Sequence, residues 1–264
     1  MLEPTAFKPI GTGMLARSRL ASSRLASSRL ARSQRPLPGP LTANRLNANR
    51  LHASKLPASK DDLEGLAAAC GDCRRCGLWQ GRQRVVISRG DPGARLMLIG
   101  EAPGAQEDAT GLPFVGRAGQ LLDQLLAGAK LDSNRDLFIC NVVKCRPANN
   151  RKPTGAEMAA CRPWLDRQIS LVNPPLILLA GASALEGVLG IRGGITKLRG
   201  QWRQGSGEAL AGRWLMPLFH PSYLLRNPSQ RQGGPRWLTD QDLQEVRRRL
   251  DQLDRLGQLD QPLE

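Results

Sequence analysis

The sequence predicts an α/β fold in which a mainly parallel, four-stranded central sheet lies between two layers of helices, behind a disordered N-terminal tail. Two observations predict it. Within residues 61–264, four short apolar runs alternate with segments of helical apolar spacing, an order that favours parallel strands joined by crossover helices. Residues 1–60 instead carry leucines at a period of five, which matches neither a helix nor a strand. The 264-residue chain is therefore expected to divide near residue 60.

The expected tail is strongly basic. Residues 1–60 hold eleven Lys or Arg and one acid, Glu3, so they carry +10 of the chain's net charge of +15. A Ser/Arg-rich segment that a Pro/Gly stretch interrupts at 36–40 buries too little apolar surface to offset its ordering entropy. An organelle transit peptide has a similar composition. A solvated tail with loose affinity for nucleic acid is the favoured interpretation.

The apolar content excludes two classes of protein. No apolar run approaches the roughly 20 residues that cross a bilayer, so no membrane association is expected. The N-terminus also lacks the continuous apolar stretch of a secretory signal. We therefore expect a cytoplasmic, nucleoid-associated protein, with organelle targeting by the tail as a minor alternative.

The elements of the globular part follow in order. Strands are predicted at 95–100, 136–144, 176–180 and 213–219. Helices are predicted at 117–130, 154–172 and 239–253, and a further short helix is predicted directly after the third strand. Thr154, with Glu157 three residues later, forms a capping box that marks the start of the second strong helix. In a parallel sheet of this kind, functional groups gather beyond the carboxyl ends of the strands.

The cysteines predict a metal site. The six are Cys70, Cys73 and Cys76, spaced C-x2-C-x2-C, and the later Cys140, Cys145 and Cys161. A close pair with two distant partners indicates thiolate ligation, and both zinc and an iron–sulfur cluster accept four thiolates. A site with four thiolate ligands would leave two of the six cysteines without a role as ligands. Cys140 lies within an apolar strand, where a buried thiol is expected.

Three strand ends carry candidate functional residues. The first strand runs into Gly100-Glu101-Ala102-Pro103-Gly104 and then a Gly/Pro turn that holds Phe114, which is well placed to stack on a flat ring. Asn141 lies near the end of the second strand. His220, one of two histidines, directly follows the fourth. These positions predict a site that binds a planar ligand.

Several long motifs in one order support a resemblance. Cys-x2-Cys before Gly77-Leu78, Gly-Glu-Ala-Pro-Gly from 100, Pro-Phe-Val-Gly-Arg-Ala-Gly from 113, Asn-Val-Val-Lys-Cys-Arg-Pro from 141 and His-Pro-Ser-Tyr-Leu-Leu-Arg from 220 all occur. Together they closely resemble the family 4 (iron–sulfur, thermostable-type) uracil-DNA glycosylases. The resemblance covers about residues 73–250 and no part of the tail. It implies a DNA repair enzyme that flips uracil out of DNA and hydrolyses its N-glycosidic bond, leaving an abasic site.

The resemblance also implies roles for individual residues. The ligands of a 4Fe–4S cluster would be Cys73, Cys76, Cys145 and Cys161, which leaves Cys70 and Cys140 extra. Glu101 and the turn at Ala102 would position the attacking water, and His220 would stabilise the leaving uracil anion. Phe114 would stack on the flipped base, Asn141 would read its edge, and Glu107 would crowd C5 and so reject thymine.

The chemistry of the residues agrees with these roles. A base inside a duplex must be flipped out before its glycosidic bond can be attacked. Leu224, Leu225 and Arg226, on the segment after His220, are candidates to wedge into the DNA where the base left. The candidate phosphate contacts are Arg199, Arg203, Arg226 and Arg231, although each is as well explained as a solvated side chain.

The expected partner is uracil-containing DNA, bound by a monomer, with replication or repair proteins as further partners. The alternative function is a catalytically inactive, metal-stabilised DNA-binding domain associated with replication proteins. The presence of both Asn141 and His220 argues against that alternative, because a pure DNA binder needs neither. A third hypothesis is redox sensing through the cluster.

Overall fold

The computed structural model describes residues 60–259, so the predicted tail lies outside the described residues. The helices are α1 (Lys60–Gly71), α2 (Ala105–Thr110), α3 (Arg117–Gly128), α4 (Gly155–Val172), α5 (Ala182–Leu189), α6 (Ile195–Leu198), α7 (Pro221–Arg226) and α8 (Pro235–Leu259). The strands are β1 (Arg89–Gly90), β2 (Leu96–Gly100), β3 (Leu137–Asn141), β4 (Leu176–Ala180), β5 (Arg203–Gln204) and β6 (Trp214–Leu218). Short 3₁₀ turns occur at Gly77–Gln80 and Ala148–Asn150.

The six strands form one mixed sheet in the order β1-β3-β2-β4-β6-β5. The four central strands are parallel, whereas the two-residue strands β1 and β5 pair antiparallel at the edges. The predicted α/β class is confirmed, and the predicted count of four strands is corrected to six. The two edge strands are too short to leave a periodic pattern in the sequence.

Helices cover both faces of the sheet. On one face, Met97, Ile99 and Leu179 belong to a buried cluster that includes residues of α1, α4 and α5. On the other face, Leu98 and Ile139 pack in a second cluster with residues of α3 and α8. Because both faces are covered, β2, β3 and β4 are buried along their whole length, as is usual for parallel strands. The three predicted layers are therefore present.

The predicted helices are present with small changes in length. The Thr154 hydroxyl accepts the Glu157 N–H at 3.2 Å and the Glu157 carboxylate accepts the Thr154 N–H at 2.7 Å, so the predicted capping box is confirmed. α3 ends at Gly128 rather than at 130, and α8 extends beyond 239–253 at both ends. Within residues 60–259, no helix is both long enough and apolar enough to cross a bilayer.

Candidate active site

The carboxyl ends of β2, β3 and β6 bring three of the predicted residues together. Gly100 pairs with Asn141 at the ends of two parallel strands. A Cβ atom placed on Gly100 would lie 2.4 Å from the Phe114 ring and 2.5 Å from Asn141 Oδ1, so both side chains lie directly over this glycine. The rings of Phe114 and His220 have centroids 5.7 Å apart. An aromatic ring, an amide and an imidazole thus lie close together at the carboxyl end of the sheet, and we call this place the active-site pocket.

Asn141 has an unused hydrogen-bond acceptor. Its side chain is 2% exposed, and Oδ1 is among the buried side-chain atoms that have no hydrogen-bond partner. A buried acceptor without a partner costs about 1–3 kcal/mol, which a ligand N–H can recover. The backbone of Asn141 is fixed by Lys144, a wholly buried lysine whose Nζ donates to the Asn141 carbonyl at 2.6 Å. The amide is therefore held ready for a donor from a ligand.

His220 is held as a neutral donor. The Ser222 backbone N–H donates to His220 Nδ1 at 3.1 Å, and Ser222 Oγ lies 2.8 Å from the same nitrogen. Because Nδ1 accepts a backbone N–H, the ring proton is on Nε2. Burial of the ring, together with the nearby Arg226 guanidinium, lowers the pKa of His220 to about 4. At neutral pH this imidazole can donate a hydrogen bond but carries no charge.

Glu101 follows Gly100 and is oriented from α5. The hydroxyl of Ser183, in the first turn of α5, donates to the Glu101 carboxylate. The Glu101 carbonyl accepts the Val143 N–H at 3.3 Å, which joins the segments after β2 and β3 beyond the sheet. Ala102, the next residue, is half-buried against the core. The Glu101 carboxylate thus lies next in the chain to Gly100, the residue that the Phe114 and Asn141 side chains cover.

Glu107 organises the loop that carries Phe114. One carboxylate oxygen accepts the N–H groups of Val115 and Gly116 at 3.0 and 2.8 Å, and the other accepts the Gly104 N–H at 3.1 Å. Phe114 itself has a φ of 55°, a left-handed conformation that an aromatic residue rarely adopts. The carboxylate therefore fixes the two residues that follow a strained backbone position.

The thiols form a second site. Five cysteines line one pocket between α1, the segment after β3 and α4, namely Cys70, Cys73, Cys76, Cys145 and Cys161. Cys145 and Cys161 are buried, and Cys73 and Cys76 are partly exposed. Burial raises the pKa of the Cys161 thiol to about 11. Within residues 60–259, no three His, Cys, Asp or Glu side chains stand in the arrangement that holds a single metal ion.

Two N–H donors point at the sulfurs of this pocket. Arg82 donates to Cys145 Sγ at 3.2 Å and to the Cys73 carbonyl at 2.9 Å. The indole N–H of Trp164 donates to Cys73 Sγ at 3.4 Å. Hydrogen bonds to ligand sulfurs are typical of protein iron–sulfur sites. Cys140, in contrast, is fully buried inside β3 and is absent from the pocket lining, in agreement with the expected role of a core thiol.

Comparison with known proteins decides the family. Residues 87–250 match the model of the Uracil DNA glycosylase superfamily. The chain belongs to this superfamily. It is 47% identical over 161 residues to the type-4 uracil-DNA glycosylase of Thermotoga maritima, an alignment that covers 60% of this chain and 80% of that protein. It is 39% identical over 195 residues to the type-4 enzyme of Sulfurisphaera tokodaii, covering 71% and 84%.

A type-5 uracil-DNA glycosylase from Thermus thermophilus is also similar, at 33% identity over 183 residues, or 58% of this chain and 83% of that protein. The identities to the two type-4 relatives are higher, and the sequence motifs already resemble that type. The chain is therefore a type-4 member of the superfamily.

Within this type-4 chain, the predicted DNA-contacting residues divide into two groups. Leu224 is 0% exposed and packs in the core cluster that contains α3, so it is not available to DNA, and its predicted wedge role is corrected. Leu225 is 38% exposed, and Arg226 beside it is exposed. Arg199 is also corrected as a phosphate contact, because its guanidinium is held by the buried Asp242 carboxylate.

Sequence reasoning missed the residues that support the predicted ones. Ser222, Ser183, Lys144 and Arg82 each hold a residue that the motifs identify. A local signal existed only for Ser222, which lies two residues after His220, where a serine commonly bonds the preceding side chain. The other three act across 3 to 82 residues of sequence, and no spacing rule indicates such contacts.

Proposed function

We propose that this protein excises uracil from DNA, leaving an abasic site. The observation that carries the proposal is the buried, unpartnered Oδ1 of Asn141, which lies over Gly100 beside the Phe114 ring. A planar ligand with an N–H on its edge fits this arrangement. The curated type-4 relatives are named uracil-DNA glycosylases, and uracil N3–H is a donor of the required kind.

The amide of Asn141 discriminates uracil from cytosine. Its Oδ1 accepts uracil N3–H and its amide N–H₂ donates to uracil O4. Cytosine presents an acceptor at N3 and a donor at the exocyclic amine, so both hydrogen bonds are lost in a buried site. Phe114 stacks on the flipped ring, which offsets part of the cost of unstacking the base.

The pocket separates the charges that bond cleavage creates. As water adds to C1′, the bond from C1′ to N1 breaks and its electron pair stays on uracil, while the proton that the water loses passes to the Glu101 carboxylate and from there to solvent. His220 stabilises the resulting anion by donating its Nε2–H to a base oxygen, as an oxyanion-hole donor does. Glu101 positions the water and stabilises the positive charge on the sugar. Ser183 and Ser222 orient these two groups.

The thiol pocket fits a 4Fe–4S cluster. Cys73, Cys76, Cys145 and Cys161 supply four soft thiolate donors around one cavity, and Arg82 and Trp164 donate hydrogen bonds to two of the sulfurs. When bound, the cluster would supply iron–thiolate bonds to cysteines of the segment after α1, the segment after β3 and α4. The cluster has a structural role, and it also helps to position the DNA. Both roles follow from the place of its ligand Cys145, four residues after Asn141. No reaction step depends on the cluster.

We further propose that the working form is a monomer whose partner is uracil-containing DNA. Leu225 and Arg226, exposed on α7 directly after His220, contact the DNA from which the base was flipped. The inactive DNA-binding alternative is not favoured, because a binder without catalysis would not need a buried unpartnered amide beside a neutral histidine. Residues 1–60 add a basic segment, and the cytoplasmic nucleoid is the proposed location.

The purified protein tests this function directly. It should release uracil from a uracil-containing oligonucleotide without added metal or nucleotide, and should act little on thymine at the same position. Asn141→Asp, which keeps the side-chain shape but removes the amide donor, should lose most of the activity on uracil. Absence of uracil release by protein that carries its cluster would exclude the proposal.

A further inference from the structure

The thiol pocket contains one more cysteine than the proposed cluster needs. Cys70, in the last turn of α1, is 1% exposed and lines the same pocket as the four proposed ligands. Cys140, the remaining cysteine, does not line this pocket. Cys70 is therefore part of the site and not a core thiol elsewhere.

Cys70 is adjacent to Cys73, one of the two partly exposed proposed ligands. The Cys73 backbone N–H donates to the Cys70 carbonyl at 3.1 Å, so the two residues form one tight turn at the end of α1. Cys73 is partly exposed, whereas Cys145 and Cys161 are buried. Cys76 is also partly exposed, but it lies six residues after Cys70.

We propose that Cys70 is a reserve ligand that replaces Cys73 at the iron–sulfur cluster. The inference rests on the proposed cluster. In the exchange, the bond from iron to Cys73 Sγ breaks and that thiolate takes a proton from water. The Cys70 thiol gives its proton to water as its Sγ binds the same iron. No electron is transferred, and the cluster keeps four protein ligands.

The test is cluster retention in single and double variants purified without oxygen. Cys73→Ala should keep the visible absorbance of the cluster and about four iron atoms per chain. Cys70→Ala alone should also keep both. The double variant Cys70→Ala/Cys73→Ala should lose at least one iron atom and, after mild oxidation, should give the electron paramagnetic resonance signal of a three-iron cluster or no cluster signal.

Matched controls separate this inference from its alternatives. Cys76→Ala should lose iron with Cys70 present, since Cys70 does not serve that position. Cys140→Ala/Cys73→Ala should behave as Cys73→Ala does, and far-ultraviolet circular dichroism of every variant checks that the fold is kept. The inference is overturned if Cys73→Ala loses iron as Cys76→Ala does, or if the double variant keeps a four-iron cluster. Absence of iron from the wild-type protein would overturn the proposed cluster itself.

Discussion

The residues proposed to be catalytic depend on the hydrogen bonds that hold them. His220 acts as a donor because Ser222 occupies Nδ1, and it stays neutral because burial and Arg226 disfavour the imidazolium. A neutral imidazole suits this reaction, since its proton can strengthen its bond to the uracil anion without first being lost to solvent. Glu107 acts in the same indirect way, through the N–H groups of Val115 and Gly116 in the Phe114 loop and of Gly104 before α2.

The lowered pKa of His220 predicts the pH dependence of excision. With a folded-state value of about 4, below the ordinary 6.5, the ring remains neutral as pH falls through the usual histidine range. The single-turnover rate should therefore show no histidine inflection between about pH 5 and pH 8. The measurement is a rate profile of wild type and His220→Asn on one uracil oligonucleotide. An inflection near 6.5 that disappears in His220→Asn would show that a charged imidazole takes part.

Glu107 has two candidate roles, a loop clamp and a steric barrier at uracil C5, and one substitution separates them. Glu107→Gln keeps the side-chain size but replaces one acceptor oxygen with a donor that faces backbone N–H groups. As a clamp residue, its loss should cost about 1–3 kcal/mol of unfolding free energy and lower kcat/KM on uracil roughly tenfold. Urea unfolding and steady-state kinetics measure both.

Gln106→Ala, an exposed neighbour on α2, is the matched control and should change neither quantity. If Glu107 instead excludes thymine sterically at C5, a smaller side chain at position 107 should allow thymine to be released. If Glu107→Ala released thymine while keeping wild-type stability, the barrier role would be the main one and the clamp role would be wrong.

At the scale of elements, the pocket depends on how closely the α2–α3 loop approaches the end of β2. A Cβ atom on Gly100 would overlap both the Phe114 ring and Asn141. A Cβ atom on Gly119, in α3, would lie 1.8 Å from the Phe114 carbonyl oxygen. The stacking ring is thus fixed between a strand end and a helix, and neither contact leaves room for a methyl group.

Gly100→Ala should therefore disrupt the pocket. The added methyl group displaces the Phe114 ring or the Asn141 amide, so excision should fall by at least about 100-fold, as misplacement of a binding group by about 1 Å commonly causes. Gly128→Ala is the control, because a Cβ atom at the end of α3 meets nothing within 4 Å. That variant should keep full activity. Full activity in Gly100→Ala would contradict the described approach of the loop.

The sequence predicts elements better than contacts, for identifiable reasons. The four parallel strands were predictable because each is a continuous apolar run, and α4 because Thr154 and Glu157 form its cap. β1 and β5 were not, since a two-residue strand has no period. His220 was predicted from its place after a strand, whereas the burial of Leu224 depends on packing against α3, and adjacent leucines give no signal of which one faces inward.

At the scale of the whole molecule, charge is unevenly distributed along the chain. Residues 61–264 hold 27 basic and 22 acidic residues, so the part with the active site carries +5 of the total of +15. We therefore expect recognition of DNA by this part to depend on local groups such as Arg226 near His220 more than on net charge. The remaining +10 lies in residues 1–60, outside the described residues.

Deletion of residues 1–60 should separate affinity from catalysis. Removal of a net charge of +10 weakens nonspecific binding and reduces its dependence on salt, because fewer counterions are released from DNA. Excision at low salt should stay within a few-fold of the full chain. Binding titrations at several salt concentrations, with excision assays alongside, measure both effects. Loss of excision on deletion would show that the catalytic part does not end where the sequence indicates.

The proposed role of His220 is tested most directly by the single-turnover rate of uracil release by His220→Ala, compared with wild type and with His52→Ala. These are the two histidines of the chain; the His220 ring lies beside Phe114, and His52 lies outside the described residues. We predict that His220→Ala is slower by about 100- to 1,000-fold, the usual cost of removing one oxyanion donor, while His52→Ala keeps the wild-type rate. A His220→Ala rate within a few-fold of wild type would contradict it.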